Sequence, residues 1–342
     1  MATMAKPVVL VTGANGEIGR SLLQTIAESG GFEVITLDLT MPPDTMRAFA
    51  VASYAGNIMD RYLLDQVAAH HEVDMVFHLA ALLSARGERD PELAHQVNVE
   101  GTLNVLRMAQ NQSARLDRPV RFIFPSSIAI YGLPSLEEKR AIGRIAEEQW
   151  NVPITMYGCN KLYCEHVGRY FTFHARQQGA SAGSARLDFR SIRFPGLISS
   201  DSAPTGGTSD FGPGMIHAAG SGKSYACFVG PDARIPFMAM PDAVRAMLDL
   251  ARADRDRLSL CAYNIGAFSL SAAQIADRVK TTFPAARIDY EPDPVRTAIV
   301  ASWPEDVDDS RARADWGWEP AYPWDRAYEE YLVPSITGRH AR

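Results

Sequence analysis

The sequence predicts a doubly wound α/β fold, a parallel sheet covered by helices on both faces, with a smaller interwoven C-terminal lobe. Three observations point there. Short apolar runs alternate with amphipathic helical patterns through the first half of the chain. The runs are almost continuously hydrophobic, as strands covered on both faces are. The first run also opens into a glycine-rich turn, VTGANGEIG. In such sheets ligands lie at the carboxyl ends of the strands, so the residues following each strand carry most of the functional information.

PVVLVTG (7–13) reads as a buried strand, and EIGRSLLQTIAES (17–29) as an amphipathic helix stopped by Gly30-Gly31. Strand FEVITLD (32–38), a third strand ahead of YAGNIMD, helix MDRYLLDQVAAHH (59–71) and strand DMVFHLAA (74–81) follow. ELAHQVNVEGTLNVLRMAQNQ (92–112) reads as a long helix and VRFIFPSS (120–127) as a further strand. The second half is less regular. PGLISSDSAPTGGTSDFGPG (195–214) has the composition of an ordered loop. AYNIGAFSLSAAQIADRVKTTFP (262–284) reads as one strand and a helix capped near Ser269 or Ser271. The tail reads as a polar helix, an aromatic turn and a last helix. No linker separates the halves, so 1–190 is expected to form mainly the nucleotide-binding domain with the catalytic helix. Residues 191–342 are expected to form mainly a substrate lobe interwoven with it.

Composition narrows the function. The chain has 342 residues, 46% of them hydrophobic, enough for a large core. A net charge of −6 gives no basic field for nucleic acid. No apolar run approaches the ~18 residues that would span a bilayer, and the N-terminus enters a strand without a signal-peptide pattern. Four cysteines in such a length suit a reducing cytoplasm. On a helix, Cys159 and Cys164 would lie about 140° apart around the axis and about 7.5 Å along it, which forbids a disulfide. Ligand spacings such as CxxC or HExxH do not occur, and no metal site is expected. His70 and His71 are expected at the surface.

Gly13, Gly16 and Gly19 are spaced G-x-x-G-x-x-G between a strand and a helix. Glycine permits the tight turn, lets backbone approach a pyrophosphate, and allows close helix–strand packing; the helix then aims its amides at the phosphates. Asp38, nineteen residues beyond Gly19, ends the second strand. A carboxylate there accepts from ribose hydroxyls and repels a 2′-phosphate, which favours NAD over NADP. Asn57 and Ile58 are placed to flank adenine.

Tyr157 and Lys161 are four residues apart and share a helix face. An ammonium and a bound nicotinamide cation would both favour the phenolate, a base for an alcohol proton. The lysine could also bond the nicotinamide ribose. Ser126 and Ser127 end a strand some thirty residues upstream, where a hydroxyl could bond the substrate oxygen.

TGANGEIG, FHLAA, NVEGTLNVL, PSSIAIYG and YGCNK together resemble the extended short-chain dehydrogenase/reductases, the epimerase/dehydratase superfamily, over nearly the whole chain. That resemblance implies a Rossmann sheet and Ser127, Tyr157 and Lys161 as the catalytic triad, with Asn98 supporting it. It implies a cofactor site of Gly13, Gly16, Glu17, Ile18, Gly19, Asp38, Asn57, Ile58, Leu79, Ala80, Ala81, Asn98, Tyr157, Lys161 and Pro195. It also implies a homodimer through the helices bearing Asn98 and Tyr157. LAALLSARGE, RFPGLIS, GGTSDF, SWP and DDSRARADWGW are similar to the short-chain L-threonine 3-dehydrogenases. Ser84, Ser126, Ser127, Tyr157, Gly196 and Thr208 would then line the pocket of a small amino acid, oxidised at its 3-hydroxyl. Nucleotide-sugar epimerases are the alternative. They typically carry R-Y-F-N where this chain has Arg193-Phe194-Pro195-Gly196, and Arg234 lies one position from their frequent phosphate-binding arginine. Oxidation of another small hydroxy acid is a further alternative, as is a non-catalytic NAD-responsive protein. Two segments depart from the threonine dehydrogenase pattern, the polar stretch 134–145 and the long connection 174–190.

Overall fold

Seven parallel strands form the main sheet, in the order Ala262–Asn264, Asp188–Phe194, Arg121–Ser127, Met75–His78, Val8–Thr12, Glu33–Asp38 and Ala52–Ala55. This computed structural model describes residues 6–175, 187–202, 204 and 206–340. Val9 pairs in register with Val34 on one side and Met75 on the other. Strand order reverses between Val8–Thr12 and Met75–His78, the kind of switch point whose carboxyl side takes ligands in open α/β sheets.

The pleat sends alternate residues to opposite faces, and both faces are covered. Val9 and Val11 join one core with Leu22, Leu23 and Ile26 of helix Glu17–Ser29 and with helix Met240–Arg252. Leu10 joins the other, with helices Arg61–His70, Thr102–Leu116 and Met156–Phe173. This explains the unbroken apolar strands in the sequence. A third core fills the lobe around Phe211, Phe237, Ile275 and Trp303.

The expected long helix over 92–112 carries a π-turn at Gln96–Gly101, between Pro91–His95 and Thr102–Leu116. The expectation of a loop over 195–214 needs correction. Gly196–Ile198 is a strand pairing parallel with Arg234–Ala239, and a helix begins at Phe211. Pairing with a distant strand overrides a loop-like composition. Residues 262–271 also hold two strands rather than one. Ala262–Asn264 completes the main sheet, and Phe268–Ser271 pairs antiparallel with Arg234–Ala239. Ser271 then caps helix Ala272–Thr282 in a capping box with Gln274.

Within 134–145, Ser135 caps a helix, Leu136–Ile142. Its buried Lys139 donates to the Val300 carbonyl at 3.0 Å, and Arg144 pairs with Asp306 at 2.9 Å. The added polar length therefore packs into the lobe core beside Val300 and Asp306. In the long 174–190 connection, residues 176–186 lie outside the described residues.

Candidate active site

Gly13 takes φ +71°, and a Cβ there would come within 2.6 Å of the Ala80 amide nitrogen. Only glycine lets the turn cross the end of Met75–His78 so closely. Leu79, Ala80 and Ala81 are half-buried beside it at the switch point. Gly16 is the N-cap of the 17–29 helix and offers no side-chain hydrogen bond. The first amides of that helix, Glu17 and Ile18 among them, thus lack a side-chain cap where an anion would sit. A Cβ at Gly19 would lie 2.5 Å from the Gly13 carbonyl oxygen, so the turn folds tightly onto its helix. The Asp38 carboxylate accepts from the Asn15 amide at 2.8 Å and the Leu39 amide at 2.7 Å. It braces the glycine turn and keeps lone pairs for further donors. Ile58 is buried in the core, whereas Asn57 is exposed and accepts from the Met59 amide. Glu17 accepts a hydrogen bond from Ser202, linking the cofactor turn to the lobe. An uncapped helix N-terminus, a close-approach glycine turn and a strand-end carboxylate fit a dinucleotide.

Thr155 caps the Met156–Phe173 helix, its hydroxyl accepting from the Gly158 amide at 3.0 Å. Tyr157 and Lys161 follow on one face. The Lys161 ammonium donates to the Pro125 carbonyl at 2.6 Å and lies 4.4 Å from the Phe124 ring centroid and 5.5 Å from that of Tyr157. Burial pushes Lys161 down to about 8, opposed by the negative potential of Cys164 and Glu165. Burial raises Tyr157 above its usual value. The expectation that Lys161 favours a phenolate is therefore outweighed by desolvation in the protein alone. Ser127 is half-buried and its Oγ accepts from the Ala129 amide at 3.1 Å. Ser126 is buried, and its Oγ has no hydrogen-bond partner among the described residues.

Ser84 and Thr208, 124 residues apart, meet with hydroxyl oxygens 3.2 Å apart, both buried. The Thr208 loop is held from two sides. Asp210 Oδ2 accepts from the Gly206 and Gly207 amides, and Arg296 donates to the Gly207 carbonyl at 2.7 Å. Pro195 and Gly196 are buried next to it. A Cβ at Gly196 would lie 2.7 Å from the Phe237 ring and 3.3 Å from Ser209 Cβ. Asn98, buried in the π-turn, spends its side chain on Leu82, donating to its carbonyl at 3.0 Å and accepting its amide at 2.8 Å.

Sequence reasoning missed four groups around this site. Arg296 lies 89 residues from Gly207, with no signal linking them. Arg193 pairs with Glu165 at 2.7 Å, both buried, and also donates to Tyr131. His78 interrupts an apolar strand at its carboxyl end, a position that could have marked it. Asp210 follows Thr208 by two residues inside the quoted GGTSDF. Arg234 donates to the Ser269 carbonyl at 2.9 Å and to Gln274 at 2.7 Å.

Residues 9–266 match the NAD dependent epimerase/dehydratase family. The chain belongs to that family. Within it, the chain is 35% identical over 312 residues to the mitochondrial L-threonine 3-dehydrogenase of Bos taurus, covering 91% of this chain and 78% of that protein. A GalE-like L-threonine dehydrogenase from Cupriavidus necator, solved in its holo form, is 35% identical with a TM-score of 0.80, covering 98% and 99% of the two chains. A monomeric L-threonine 3-dehydrogenase from a metagenome is 31% identical with a TM-score of 0.84, covering 97% and 99%. Family membership implies a nicotinamide cofactor. Among the described residues, no helix is long and apolar enough to cross a membrane.

Proposed function

We propose that this chain oxidises the 3-hydroxyl of L-threonine with NAD, giving 2-amino-3-oxobutanoate. The contact between Ser84 and Thr208 carries the reading. It brings together two hydroxyls from distant parts of the chain, donors and acceptors that suit a small amino acid. The names of the bovine, Cupriavidus and metagenomic relatives agree with it. The sugar-nucleotide alternative has less support. Gly196 leaves no room for an asparagine against Phe237, and Arg234 is occupied within the lobe.

Glu17, Ile18 and the glycine turn would hold the pyrophosphate, Asp38 the adenosine ribose, and Leu79–Ala81 and Pro195 the nicotinamide end. When bound, NAD supplies the acceptor for the hydrogen on C3. Ser127 and Tyr157 bond the threonine hydroxyl, and Tyr157 Oη takes its proton as the carbonyl forms. Lys161 supplies the positive charge that offsets the desolvation of the Tyr157 phenolate. Thr208 and Ser84 hold the amino-acid end and exclude water. Asp38 supports NAD over NADP, because a 2′-phosphate would meet its carboxylate.

Tyr163, Tyr170 and Phe173 remain exposed along the catalytic helix, with Leu83, Val152 and Ile154 also exposed. They support a homodimer through the helices bearing Asn98 and Tyr157. All four cysteines are free, which suits the cytoplasm or another reducing compartment. The function is tested by steady-state NAD reduction with threonine, serine, other small 3-hydroxy acids and UDP-sugars. Threonine should have the highest kcat/KM; UDP-sugar epimerisation without threonine-dependent NADH contradicts the reading.

A further inference from the structure

His78 lies fully buried at the end of its strand, and both ring nitrogens are engaged. Nδ1 is 2.8 Å from Thr12 Oγ1, and Nε2 is 2.9 Å from Thr102 Oγ1. The Thr102 hydroxyl donates to the Asn98 carbonyl at 2.6 Å. A carbonyl only accepts, so the single Thr102 proton is committed there, and its oxygen must accept from His78. Nε2 therefore carries the imidazole proton, and Thr12 donates to Nδ1. Burial, reinforced by the Lys161 charge, pushes His78 down to about 3 and keeps it neutral. The chain of contacts continues. The Asn98 carbonyl, in the π-turn, is satisfied by Thr102 and by Cys164 Sγ at 3.2 Å, while its side chain clamps both backbone groups of Leu82. Two residues further on, Ser84 meets Thr208.

We propose that His78 is a positioning residue for the reaction. As a neutral imidazole it fixes Thr102 and the Asn98 π-turn, which holds the Leu82–Ser84 segment against Thr208. The role rests on the reading of Ser84 and Thr208 as the substrate pocket. His78 touches neither the substrate pocket nor Tyr157, and acts through the segment it holds.

Glutamine and asparagine separate the two ends of the ring. His78→Gln can place an amide donor near the Nε2 position, facing Thr102. His78→Asn reaches only the Nδ1 position, facing Thr12. Thr102→Val removes the next link without changing shape. With the full-length protein, KM and kcat for threonine, Kd for NAD, and hydrogen exchange at residues 82–84 are measured for each variant. His78→Asn and Thr102→Val should each raise KM for threonine about tenfold, the scale of one lost buried hydrogen bond. Both should leave Kd for NAD within about twofold and speed exchange at Leu82. His78→Gln should keep both readouts near wild type, and the His78→Asn/Thr102→Val double variant should be no worse than either single one. Wild-type KM and exchange in Thr102→Val overturn the proposal. So do additive costs in the double variant, or equal losses in threonine and NAD binding. The exchange arm needs no substrate. If wild-type protein fails to oxidise threonine, the functional reading falls while exchange at 82–84 still decides the role of His78.

Discussion

Tyr157 and Lys161 share a helix face, and burial pushes both toward their neutral forms. For the phenol that means holding its proton, and for the ammonium losing one. With Lys161 near 8, the lysine still carries its charge at neutral pH and loses it as pH rises through that value. Tyr157→Phe should lower threonine-dependent turnover by about 10²–10⁴-fold, the range of a positioned proton acceptor, while Kd for NAD stays nearly unchanged by calorimetry. Lys161→Met should damage both turnover and NAD binding. Asp38 acts on a different property. Its carboxylate is braced by two backbone amides, so its position is fixed before any ribose arrives. Asp38→Ala should weaken NAD use and narrow the ratio of kcat/KM between NAD and NADP. A wild-type protein that uses NADP equally well contradicts the assignment.

Helix Met156–Phe173 is anchored one turn beyond Lys161. Glu165 forms a buried, charge-paired contact with Arg193 at the end of the neighbouring strand. Removing one partner leaves the other charge buried and unpaired. Glu165→Ala should therefore cost about 3–5 kcal/mol in denaturant unfolding. Arg144→Ala, which breaks an exposed pair with Asp306, should cost under about 1 kcal/mol. At this scale the sequence was legible where local signals agreed with the global fold. The strands over 7–13, 32–38, 74–81 and 120–127 and helix 17–29 follow from unbroken apolar runs, glycine stops and caps. The π-turn at Gln96–Gly101 has no composition signature, and its Asn98 bonds Leu82 across sixteen residues. Strand Gly196–Ile198 is invisible for a similar reason: it pairs with Phe237–Ala239, over forty residues away. Ser84 and Thr208 were named only through resemblance, and only the fold places their hydroxyls together. Arg296 and the His78 chain depend on contacts between distant elements, which periodicity does not encode.

Two cores on either side of one sheet and a third in the lobe make the molecule, and Glu17–Ser202 joins the glycine turn to the lobe. The exposed stripe of Tyr163, Tyr170 and Phe173 gives the whole molecule a testable assembly. Light scattering at micromolar concentration should report a dimer, and Tyr163→Glu with Tyr170→Glu should shift it to monomer. A wild-type monomer would place this chain with its metagenomic relative. Isotopic labelling follows the transfer of hydride from C3 of threonine to NAD. L-Threonine deuterated at C3 is incubated with NAD and the protein, and the reduced cofactor is analysed by mass spectrometry. Each NADH formed should carry one deuterium, with 2-amino-3-oxobutanoate or its decarboxylation product in equal amount. Unlabelled cofactor, or deuterium retained in threonine while a UDP-sugar is epimerised, contradicts it.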